Sequence, residues 1–137
     1  MKKDVLIHIL SLIDNGENED KIEINTKGKV FEKDGAVYLG YKETDENGYD
    51  TNDVLIKATD KSVTVNRLGN AKSSLIVEAG KRNLCSYATP YGNQMLGISG
   101  ISVSLKEGQI SFCYELDLNN TLLSKNKLNI TYEESAK

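Results

Sequence analysis

Tight-turn signals interrupt the 137-residue chain from end to end, and short runs of alternating apolar and polar residues fill the intervals. The signals are Asn15-Gly16, Asp34-Gly35, Asn47-Gly48, Leu68-Gly69-Asn70, Ala79-Gly80, Tyr91-Gly92 and Glu107-Gly108. Asn and Asp tolerate positive φ, and Gly has no Cβ to clash, which is what hairpin turns require. Turns recurring this often, with short alternating runs between them, leave little room for a helix and specify an all-β chain. So many strands must close or curl to hide their edges. The expected architecture is one domain over residues 1–137, an antiparallel meander β-barrel of roughly eight to ten strands.

Ten candidate strands lie between the turns: 4–13, 20–32, 36–44, 53–59, 62–68, 72–78, 81–89, 93–105, 109–119 and 126–133. The alternation is cleanest where Ile110, Phe112, Tyr114, Leu116 and Leu118 share one face against Ser111, Cys113, Glu115 and Asp117. One face of each strand is therefore core and the other wet, as in an antiparallel barrel wall. Two strands depart from this. The first is apolar on both faces (Val5, Ile7, Ile9 and Leu6, Leu10, Leu12), which calls for a cover, either a second copy of the chain or a terminal segment folded across it. The run 93–105 changes phase near Gly97 and Gly100, after which Ile101, Val103 and Leu105 are expected on one face. Missing side chains there suit a sharp bend at a barrel corner, a role also open to Gly28 and Gly40.

Composition narrows the function classes more than it selects one. Hydrophobic content of 39% and charged content of 27% are those of a folded domain. A formal charge of −3, with Arg67 and Arg82 the only arginines, argues against a nucleic-acid partner. Cys85 and Cys113 stand far apart without metal-ligand spacing and are expected to be reduced and packed. Lys2-Lys3 before Val5–Ile13 loosely mimics a leader peptide, but Asp4 and His8 break the run and it is too short to span a bilayer as a helix. A first strand, a cytoplasmic location and no membrane partner are the expectation.

The segment RNLCSYATPYGNQMLGIS, from Arg82 to Ser99, resembles the Tyr-x-Thr-Pro-Tyr-Gly-x-x-x-x-Gly-Ile signature of the YwiB-like family of uncharacterised bacterial β-barrels. The opening KKDVLIHI, the stretch GKVFEKDGAVYLGYKE and the tail ELDLNNTLLSKNKLNITY match its pattern too, so the resemblance covers nearly the whole chain. It implies a lipocalin-like (calycin-like) barrel and a domain of unknown function. It brings no catalytic or binding residues with it.

Candidate sites are few. Arg67 continues the apolar face of Val63 and Val65, which aims a permanent charge at the barrel interior. Such a group has to meet a carboxylate, backbone carbonyls, a ligand anion or solvent. Arg82, Tyr87, Thr89, Tyr91 and Gln94 are candidates to complete an anion site with it. Thr89-Pro90-Tyr91-Gly92 specifies a defined turn, because proline fixes φ and glycine accepts a positive one. His8 is the lone histidine and cannot by itself build a zinc site or a catalytic triad. The acidic stretches Asn15–Asp20 and Asp45–Asp53 read as solvated hairpin tips, since the second lacks the glycine position and terminal Glu of a calcium loop. No phosphate loop, metal set or activated nucleophile is visible, so neither an enzyme nor a cofactor is expected.

The leading expectation is therefore non-enzymatic binding of a small apolar or weakly anionic ligand inside the barrel, with Arg67 and Arg82 as charge partners. The alternative is a filled barrel acting as a structural or protein-interaction module, as a homodimer or with another partner, through its first strand.

Overall fold

The computed structural model describes residues 2–44, 46–69, 73–89 and 92–135, with backbone alone described at 87–89. The strands are β1 (Lys3–Asp14), β2 (Glu19–Lys33), β3 (Ala36–Thr44), β4 (Asp50–Ala58), β5 (Ser62–Gly69), β6 (Ser73–Glu78), β7 (Arg82–Thr89), β8 (Gly92–Lys106), β9 (Gln109–Leu118) and β10 (Thr121–Glu134). Every pairing is antiparallel, and together they make one sheet in the order β6-β5-β4-β3-β2-β1-β10-β9-β8-β7. The first and last strands thus pair with each other, and the two free borders, β6 and β7, are neighbours in the chain. The molecule is a nearly closed meander barrel whose seam falls at mid-sequence.

The seam is drawn shut at one end. Gly80 N donates to Gly100 O at 3.0 Å and Gly100 N donates to Lys81 O at 2.9 Å, docking the β6–β7 corner onto β8. A Cβ at Gly100 would overlap the Glu78 carbonyl oxygen, so glycine is what allows this approach. Away from that corner β6 and β7 form no ladder.

Turn chemistry accounts for the hairpins. Asp34 and Gly35 both take positive φ (53° and 80°), the two-residue reversal that suits twisted strands. At the acidic tip, Asn15 Oδ1 accepts the amides of Glu17 and Asn18 at 3.0 and 2.8 Å, so this loop is shaped by its own side chain. Asn119 and Asn120, at φ 51° and 68°, form another two-residue reversal. That turn moves the start of β10 to Thr121, ahead of the expected 126.

Directly opposed residues share a face, so the register defines the interior. Val5, Ile7 and Ile9 of β1, Leu39 of β3, Val54 and Ile56 of β4, Val63 and Val65 of β5, Ile110 and Phe112 of β9, and Ile130 of β10 pack there as one buried cluster. This core fills the barrel toward the end that carries the β2–β3, β4–β5, β6–β7 and β8–β9 connections. Toward the other end the inward positions turn polar, with Glu43, Asn52, Arg67, Ser73, Ser124 and Asn126. The change of phase in β8 is a β-bulge between Gly100 and Ser102. Ile101 is the extra residue and stands 58% exposed on the outside, so it does not share the inner face with Val103 and Leu105 as expected.

Candidate ligand-binding site at the barrel seam

On β5 the buried pair Val63 and Val65 is followed at the next inward position by Arg67, opposite Val54 on one side and Ser73 on the other. The alternation alone thus places the guanidinium on the inner wall. Its Nε donates to Glu43 Oε1 at 3.0 Å, and Asn52 Nδ2 donates to the same oxygen at 3.1 Å. With Arg67 and Glu43 still 34% and 26% exposed, this pair is worth about 1 kcal/mol or less. An entering anion can therefore share or displace it. Burial pushes the phenols of Tyr41 and Tyr114 above the usual tyrosine range, and the charge of Arg67 partly offsets that rise at both.

Because β6 and β7 do not ladder, the wall beside Arg67 is split. A cleft of about 770 Å³ opens there, reached by Arg67, Ser73 and Cys85 from within and by Leu68, Ile76 and Leu84 from the outer surface. The last three are exposed large apolar side chains. Burial raises the Cys85 thiol, which keeps it protonated and a poor nucleophile at neutral pH. The cleft therefore offers one cation, Arg67, and one carboxylate, Asp53, with several hydroxyl and amide groups and an apolar margin. That is equipment for holding a molecule.

The other expected site residues divide. Arg82 does not face the interior with Arg67. It lies on the outer wall, where Nε and Nη2 donate to Asp117 Oδ1 and Oδ2 at 3.0 and 2.6 Å. The pair meets over Gly97, where any Cβ would overlap both the guanidinium and the carboxylate. Gly97 thus serves this contact more than the bend expected of it. Gln94 is exposed and sits opposite Tyr87, and Thr89 sits opposite Gly92, toward the β7–β8 tip, where the neighbouring Ser86 and Asn93 line the cleft. Tyr91, with Pro90, lies outside the described residues. Glu43, Asn52 and Cys85 were not anticipated. Glu43 carried the same signal as Arg67, since it extends the inward series Leu39 and Tyr41 by one position.

His8 Nε2 lies 3.2 Å from Glu23 Oε2 on the outer face of β1, and both cysteines are free. Among the described residues no helix is long and apolar enough to cross a membrane.

Fold and site together define a small antiparallel β-barrel, filled at one end and cleft along a seam. The comparisons agree on the architecture. The crystal structure of the YwiB protein from Bacillus subtilis superposes with a TM-score of 0.83 at 26% identity, covering 98% of this chain and 94% of that one. In sequence, the uncharacterised β-barrel protein YwiB of Bacillus subtilis (strain 168) is 26% identical over 133 residues, 94% of this chain and 92% of its own length. The model of the domain of unknown function DUF1934 matches residues 7–130, and the chain belongs to that family.

Proposed function

We propose that the protein binds a small amphipathic molecule with a weakly anionic head, reversibly and without chemistry, in the seam cleft. The observation that carries this reading is the opening of the β6–β7 seam beside an inward-facing Arg67. The head exchanges with Glu43 on the guanidinium, and the apolar body lies along Leu68, Ile76 and Leu84. The site sits in the wall and at the polar end of the barrel, because the opposite end is filled by buried aliphatics and Phe112.

Dodecanoate titrated against the protein and followed by calorimetry tests it. The wild type binds saturably. The double variant Arg67→Gln/Glu43→Gln, which removes the cation without stranding its carboxylate, weakens binding about tenfold or more. Leu84→Asp on the outer margin does the same. Equal affinity in all three proteins, with unchanged circular dichroism, overturns the reading.

A second reading rests on β1, where Leu6 and Leu12 are on the outer face and the described residues cover them only in part. Ile7 is buried inside, so the informative variant is Leu12→Lys. If this face joins two copies, sedimentation shows a dimer that Leu12→Lys dissociates. A wild-type monomer at high concentration rejects it.

A further inference from the structure

Strands β2 and β3 part company at a definite place. Their last pair is Gly28 opposite Tyr41, although β2 runs back to Glu19 and β3 on to Thr44. The next step of that register would set Lys27 directly against Lys42. Like charges directly opposed destabilise a sheet pair, which gives the parting a physical cause. On the same outer face, Lys29 lies opposite Gly40, and Phe31 stacks on Tyr38 with ring centroids 4.6 Å apart.

A groove of about 720 Å³ runs along this outer face across β2, β3 and β4. Its lining carries Lys2, Lys27, Lys29 and Lys42 against Asp4 and Asp53, a local positive excess in a chain whose net charge is −3. Lys29 Nζ is 3.2 Å from Asp4 Oδ1, and Lys42 Nζ is 3.7 Å from Asp50 Oδ2. These are exposed pairs that solvent screens and an anion can exchange with. Lys2 Nζ stands 5.8 Å from the Phe31 ring centroid, at the edge of the groove.

Gly40 is the second observation. A Cβ there would meet only the Val54 carbonyl oxygen at 3.8 Å and Leu55 Cδ1 at 3.9 Å, both ordinary contacts, and its φ is not left-handed. Neither packing nor backbone conformation demands a glycine at this position. Its effect is to leave a flat floor between Lys29 and the exposed Leu55.

We infer that this outer groove, which adjoins the seam cleft at Asp53 and Leu55 but lies over β2 and β3, is a second binding site for a small anion carrying a flat apolar body. The anionic group bridges Lys27 and Lys42, turning their repulsion into a shared attraction. The body lies over Gly40 against Leu55 and Phe31.

The test is a titration with 2-naphthoate, followed through the amide chemical shifts of isotope-labelled protein. Saturable shifts at Gly28, Gly40 and Lys42 are expected, weakening as salt rises. Gly40→Leu, which occupies the floor without touching the core, abolishes them. Lys42→Glu, a single exposed change, weakens them about tenfold or more. The Arg67→Gln/Glu43→Gln double variant leaves them in place. Groove shifts that survive Gly40→Leu at full affinity overturn the inference. So do shifts confined to Ser73, Leu84 and Cys85, an outcome that leaves the seam site standing.

Discussion

Asp117 points outward from β9 yet is nearly buried, because the Arg82 side chain lies across it. The Arg82 hydrogen bonds hold its carboxyl below the ordinary value of 3.8, burial opposes them, and the Asn120 amide donating to Oδ2 at 2.9 Å adds to them. A folded-state value below the unfolded one contributes stability that is present above the unfolded value and lost as pH falls through the folded one. The melting temperature should therefore drop as pH is taken below about 4. Asp117→Asn should lower it at neutral pH and flatten that acid limb. Thermal scans across the acid range check this, and parallel curves for the two proteins would contradict it. Arg67 shows the complementary case. Its inward direction was legible from Val63 and Val65, whereas its partner Glu43 is 24 residues distant in sequence, and only the β3–β4–β5 register brings them together.

Individual strands were readable wherever alternation was strict and a glycine marked the turn. β3, β5 and β9 lie close to their expected bounds for that reason. β10 did not, because its turn is Asn119-Asn120 with no glycine, and Asn is a weaker marker of positive φ than Gly. The physical content of that turn can be measured. Asn120→Val places a β-branched residue at φ 68° and should cost about 1–2 kcal/mol in urea unfolding, while Asn120→Gly should be tolerated. A neutral Asn120→Val would mean that the hairpin does not need the left-handed conformation. In β8 the bulge at Ile101 was foreshadowed by the phase change, but its direction was not, since Gly97 and Gly100 just before it leave the local pattern free to resolve either way.

At the scale of the whole molecule, barrel closure follows from many hairpins that share one apolar face, and this much the turn spacing and alternation dictate. The position of the seam does not follow from them. Ala79-Gly80 has the same local signature as any hairpin turn, yet this corner docks onto Gly100 of β8, and β6 and β7 ladder with β5 and β8 instead of with each other. The same arrangement moves the candidate site from the barrel's interior, which buried side chains fill at one end, to its wall. Native mass spectrometry of protein isolated gently from its host addresses the central claim most directly. The seam reading predicts a small-molecule adduct on the wild-type chain that is missing from Arg67→Gln/Glu43→Gln. Bare wild-type protein, or the same adduct on both, would contradict it.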